Sequence, residues 1–236
     1  MKEAFTYMLK DNKIVQKALT YFGLILISGL CTNFSQFLTP KHACNISISC
    51  LVLGLIGIFL SMITSGYGIS CKRAIVEQKE NIVLPFLKFG SNLFSGFKFG
   101  VAITLLVLAI TAVIMISAII GKLLSPVIPV IVIALLCLFI VCYAIAFTYI
   151  FVTTDSWLSF FKIKQATKII ASWQYWKNVL VMMGLSVISA VISSLVSFIF
   201  KGAADVIINT TVMSIIGSYF VFVFSYLVAN CAKQEA

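Results

Sequence analysis

Apolar and polar positions along this chain fall into long blocks rather than alternating. Lys17 to Lys41, Lys98 to Lys122 and Lys177 to Lys201 each enclose 23 uncharged residues. At ~1.5 Å rise per residue such a run extends ~34 Å as a helix, enough to cross a hydrocarbon core of ~30 Å. After each run come a short loop and a second apolar run. The pattern predicts six transmembrane helices, over 18–38, 47–70, 99–121, 127–153, 178–200 and 207–231. Continuous apolar runs argue against a β-barrel, whose strands alternate.

The leading lysines stand 81 and 79 residues apart, and an aromatic-basic segment precedes each odd-numbered span. This period predicts an all-α integral membrane fold, a single membrane domain over 1–236. It divides into three parallel helical-hairpin repeats (1–80, 81–160 and 161–236), each led by a cytoplasmic interfacial segment. An even number of spans per repeat gives all three the same orientation, unlike the inverted repeats of many transporters.

Composition agrees with a bilayer setting. The chain is 61% hydrophobic and 10% charged, against roughly a quarter charged in a soluble domain. The net charge of +10 is spread over the ends of apolar runs, which points to a membrane surface and not to nucleic acid. Fourteen of the 17 basic residues lie in 1–17, 71–98, 155–177 and 232–236, and the opposite loops hold only Lys41, Lys122 and Lys201. By the positive-inside rule both termini are cytoplasmic, in a multi-pass protein of the cell membrane. Residues 1–17 read as an amphipathic interfacial helix and not a cleaved signal peptide.

The longest polar interruption, 66–100, carries the candidates for surface contact. Lys72, Arg73, Lys88 and Lys98 are placed to meet anionic headgroups. Tyr67, Phe86, Phe89, Phe94, Trp157, Trp173 and Trp176 are placed as interfacial anchors. Residues 82–98 read as a surface element with Pro85 in the first turn of a helix and Phe86, Phe89, Leu93, Phe94 and Phe97 on one face. Whether that face meets lipid or the chain's own hairpins stays open. Gly66-Tyr67-Gly68 reads as the end of the second helix, since glycine disfavours helix by ~1 kcal/mol relative to alanine. Ser186, Ser189, Ala190, Ser193, Ser194 and Ser197 form a small face suited to helix packing, with a serine-lined pore as the alternative, and Gly96-Gly100 has the same two readings.

Chemistry-bearing residues are sparse. His42 is the one histidine, and none of the seven carboxylates falls in mid-span. Glu77 and Glu80 balance Lys79. Cys44 and Cys50 flank a loop and could pair, although free thiols are the simpler reading. No phosphate-binding glycine loop, nucleophile elbow or metal-binding HExxH occurs. No enzymatic activity, cofactor or metal is expected, and no mid-membrane charge is available to couple ion movement.

The stretch AFTYMLKDNKIVQKALTYFGLILI, followed by Gly66-Tyr67, Lys72-Arg73, Leu84-Pro85, Leu93-Phe94 and Gly96-Phe97-Lys98, resembles the prokaryotic membrane family called domain of unknown function 4013. The resemblance covers residues 4–105. It implies a multi-span inner-membrane protein and supplies no substrate or catalytic residue. Two functions remain. One is a non-catalytic membrane module that organises lipid, or docks a protein partner or second copy, through its aromatic-basic segments. The other is an ion-uncoupled transporter or channel for a small apolar or lipid-like substrate.

Overall fold

The computed structural model describes residues 11–38, 48–77, 83–123 and 127–230. Lys41, His42, Cys44, Lys79, Glu80 and most of the 1–17 segment lie outside them. Among the described residues every regular element is helical. In chain order they are α1 (Ile14–Leu38), α2 (Ile48–Glu77), α3 (Phe89–Leu123), α4 (Val127–Thr154), a 3-10 turn (Ser159–Phe161), α5 (Ile163–Ile170), α6 (Trp173–Ile199) and α7 (Ala203–Ala229). Five helices are long and apolar enough to cross a membrane. The two halves of α4, which meet at a 44° bend between Ile140 and Cys142, make a sixth if they form one span. The chain is a multi-pass membrane protein.

Packing is unequal along the bundle. α1 lies against α2 and α7, α3 against α2 and α4, and α6 against α7, while α2, α4 and α7 touch one another. Two buried clusters hold the helices together. One joins Tyr21, Tyr67, Cys71, Ile75, Leu84, Phe222 and Leu227 across α1, α2 and α7. The other joins Ala102, Phe147, Phe151, Phe160, Ile169, Tyr175 and Val179 across α3 to α6. Both sit toward the end of the bundle that carries Lys17, Lys98 and Lys177. Farther along, α3 and α6 present Val107, Met115, Ile119, Val187, Val191 and Leu195 outward, as helices do when lipid is their solvent.

Two elements differ from the sequence expectation. First, α2 runs unbroken through Gly66, Tyr67, Gly68 and Lys72 to Glu77. Gly66 is a packing notch and not a helix end. A Cβ there would stand 1.7 Å from the Asn92 carbonyl oxygen, and one at Gly96 would stand 1.8 Å from that of Met62. Met62-Gly66 and Asn92-Gly96 therefore interlock at four-residue steps, and the close approach offsets glycine's helix penalty. Gly100 faces open space, so the small pair in use spans two helices instead of lying along one.

Second, no helix begins at Pro85. Residues 83–88 form no helix or strand, and Phe89–Lys98 is the first part of α3. At 35 residues, α3 measures ~52 Å, so one of its ends must pass beyond a hydrocarbon core of ~30 Å. Proline disfavours the helical region at the residue before it, here Leu84, and three side chains described below hold this segment in place.

The interlocked glycines generate a direct expectation. Gly66→Ala and Gly96→Ala should each lower thermal stability in detergent by ~1–3 kcal/mol, as overpacked helices separate. Gly100→Ala should leave it unchanged or slightly raised, because alanine is the better helix former. Equal tolerance at all three positions would contradict the notch.

Candidate functional site

The polar side chains of the basic end converge on two centres. The first surrounds Leu84. The Lys17 ammonium, at 4% exposure, donates to Asp11 Oδ2 at 2.7 Å and to the Leu84 carbonyl. Asp11 Oδ2 in turn accepts from the Leu84 amide at 3.2 Å, and its Oδ1 accepts from the Lys13 amide at 3.0 Å. One peptide residue thus has both backbone groups satisfied by one buried ion pair. The Tyr67 hydroxyl donates to the Pro85 carbonyl at 3.0 Å, and Lys17 and Lys13 lie over the Phe86 ring. Burial pushes the Asp11 carboxyl up, but hydrogen bonds from Lys17 and from the Lys13 and Leu84 amides outweigh it and hold the group below its ordinary value.

The second centre is Asp155, just past the end of α4. Its φ of 49° is left-handed, a conformation aspartate adopts more readily than most residues. Its amide still bonds to the Phe151 carbonyl, closing the last helical turn. Arg73 donates from Nη2 to Asp155 Oδ1 at 2.9 Å and from Nε to the Val152 carbonyl at 3.3 Å, and Lys98 donates to Asp155 Oδ2 at 2.6 Å. Two cations from α2 and α3 therefore meet the negative end of α4. From there the chain turns into the 3-10 turn and α5, whose Ala166 and Ile169 are buried while Lys164 and Lys168 are exposed.

The sequence-predicted candidates separate on this geometry. Arg73 and Lys98 are occupied by Asp155, and Lys98 also covers the Phe94 ring. Lys72 is half-buried along α2, its ammonium near the Gly68 carbonyl. Lys88 is exposed. Tyr67 stands in the core at 1% exposure, against Tyr21 and Phe222, and is not an anchor at a lipid boundary. Phe86, Phe89, Phe94, Trp157 and Trp173 are all exposed, and Trp176 packs partly against the second core cluster.

The small residues of α6 divide into two rows. Ser189, Ser193 and Ser197 are half-buried, with Ser193 bonded to Asn209 and Ser197 to Asp205 of α7. Ser186, Ala190 and Ser194 are exposed, and the two serine hydroxyls bond back to carbonyls of their own helix.

Sequence reasoning missed Asp11, Lys17 and Asp155 as organising residues. Asp11 and Lys17 are six apart, outside the helical pairing distances, and their common partner is a backbone unit far along the chain. Asp155 was more visible, as a lone acid ahead of a basic segment. Two buried amides were also missed. Asn178 donates to the Leu227 carbonyl at 2.9 Å, and Asn92 accepts from Ser70 at 2.9 Å. Among the described residues no three His, Cys, Asp or Glu side chains gather as a metal site.

The Asp155 centre has a signed pH dependence. Burial raises its carboxyl, but the hydrogen bonds and charges of Lys98 and Arg73 outweigh that and hold it below the ordinary carboxylate value. A carboxylate depressed on folding contributes stability that is present above its unfolded value and lost as pH falls through the folded one. Asp155→Asn should cost ~1 kcal/mol near neutral pH, allowing for solvent screening of a partly exposed pair. The variant should also lose part of the wild-type stability slope in acid. An unchanged acid limb in thermal melts would contradict the assignment.

No curated protein and no solved structure matches the chain. Residues 49–200 match the family model described as protein of unknown function DUF4013. The match begins later than the 4–105 resemblance and continues through the Asp155 centre and α6. The chain belongs to this DUF4013 family of proteins of unknown function.

Proposed function

We propose that this protein is a non-catalytic membrane module that presents an aromatic-basic surface to the anionic lipids of the inner leaflet. The observation that carries the reading is the outward aromatic row. Phe86, Phe89, Phe94 and Phe97 are 47–59% exposed, which favours lipid over the chain's own hairpins as what this face meets. Lys88 lies within the row and Lys13 stands over its first ring, and both are exposed. A second patch joins Trp157, Leu158, Phe161, Ile163 and Trp173 with Lys164 and Lys168. Rings that enter the acyl boundary beside ammonium groups at the headgroups form a binding mode for a membrane surface.

The same proposal takes the bundle as three hairpins in a ring, with both termini on the cytoplasmic side. The packing supports it. α2, α4 and α7 meet at the centre, α1 leans on α7, and α3 leans on α2. α6 reaches α4 through the Tyr175 hydroxyl and the Cys142 carbonyl. The first helix of each hairpin thus meets the second helix of the preceding one. The basic split, fourteen to three, supports the orientation. A solute path through the centre is less favoured. Gly68 packs on Val221, and the Ser225 hydroxyl reaches the Gly68 carbonyl where α2 and α7 cross.

Within the aromatic row the geometry narrows the headgroup contacts to Lys88 and the adjoining Lys13, since Arg73 and Lys98 are held by Asp155 and Lys72 is half-buried along α2, while Lys164 and Lys168 serve the second patch. Lys13→Gln with Lys88→Gln should weaken retention of anionic lipid about tenfold or more, at ~1 kcal/mol per basic residue near such a surface, with thermal stability unchanged. Native mass spectrometry of protein purified with phosphatidylglycerol reads the retention. Unchanged retention in a folded double variant would refute the proposal.

A further inference from the structure

At the end of the bundle away from the paired charges, α1, α6 and α7 separate to leave an open cleft of about 260 Å³. Its described walls combine amides and hydroxyls with Ile25, Gly29 and Met213, and carry no charge. Asn33 of α1 donates to the Thr210 hydroxyl at 3.0 Å, and Ser193 of α6 donates to Asn209 Oδ1 at 3.1 Å. Among the described residues the lining includes no ionisable side chain, and none of these would offset the desolvation of a charged ligand. The amides and hydroxyls can still exchange hydrogen bonds with a neutral polar group.

The cleft is also graded along the membrane normal. On α1, Ile25, Gly29 and Asn33 line it at four-residue steps, with the amide nearest the helix end. On α7, running the other way, Asn209 lies nearest the end and Met213 one turn deeper. The amides thus face the boundary, while Ile25 and Met213 face the bilayer middle beside Ser214, whose hydroxyl is turned to the Thr210 carbonyl of its own helix. Gly29 permits the close crossing, since a Cβ there would stand 2.8 Å from Thr210 Cγ2.

We propose that this cleft binds the uncharged, hydroxyl-bearing head of a neutral glycerolipid, its acyl chains continuing past Ile25 and Met213 into the bilayer. The chemistry fits at each level: hydroxyl and ester oxygens at Asn33, Asn209 and Thr210, no counter-charge for a phosphate among the described residues of the lining, and an apolar exit into the membrane. The site lies at the other end of the bundle from the aromatic-basic surface and does not depend on it.

The test uses the full chain in nanodiscs with a diacylglycerol carrying a photoreactive acyl chain. Labelling should concentrate on peptides from α1, α6 and α7. Dioleoylglycerol should compete, whereas phosphatidylglycerol and free glycerol at the same concentration should not. Asn33→Leu should lower labelling about fivefold to tenfold, the loss of one hydrogen-bonding group, and Ser193→Phe should lower it further by filling the cleft. Lys13→Gln with Lys88→Gln should leave it unchanged. The wild-type arms decide the matter even if a variant fails to fold. Even labelling along all helices, or equal competition by phosphatidylglycerol, would overturn the proposal, and competition by free glycerol would overturn its lipid part.

Discussion

The buried Asp11–Lys17 pair is the interaction on which the rest of this arrangement depends. Two charges taken out of water are costly unless each finds a partner of opposite sign and further hydrogen bonds. Here the pair is completed by both backbone groups of Leu84. That arrangement anchors the segment ahead of α3 to the start of α1. It positions Leu84 in the core, brings Pro85 within reach of Tyr67, and sets the point from which α3 departs. In lipid, helices gain little from apolar contact with one another, so polar clasps and close backbone packing carry the specificity that a hydrophobic core gives a soluble domain.

The Asp155 centre repeats this logic at the next junction. Leaving the end of α4, the chain turns through a left-handed residue, and Arg73 and Lys98 hold it against α2 and α3. The interlocked Met62-Gly66 and Asn92-Gly96 then bring α2 and α3 close enough for those cations to reach one acid. Charges spent internally are unavailable to lipid. Around the start of α3 the outward surface is consequently aromatic first and basic second, with the exposed Lys13 and Lys88 beside the rings.

Much of this was legible in the chain. Lysines at matched spacing located the long helices, because a charge at the bilayer centre is costly and run length must match the membrane. The exposed Phe89, Phe94, Trp157 and Trp173 were recognisable as surface aromatics. Gly66-Tyr67-Gly68 misled, because glycine marks both helix ends and close crossings, and only the partner backbone at Asn92 distinguishes them. Arg73 and Lys98 read as headgroup ligands since their partner lies 82 and 57 residues away. The clasp itself escaped notice for a similar reason: a side chain bound to a peptide group leaves no signature in residue types.

The exchange behaviour of the Leu84 amide tests the clasp most directly. Residues 83–88 form no helix or strand, so their amides have no ladder to protect them. If Asp11 and Lys17 hold the segment, the Leu84 amide should exchange slowly with solvent deuterium in the wild-type protein. It should then exchange far faster in Asp11→Ala, with the middle of α2 still protected in both. Exchange at Leu84 as fast as in an unstructured peptide, or unaltered by the loss of Asp11, would contradict the account.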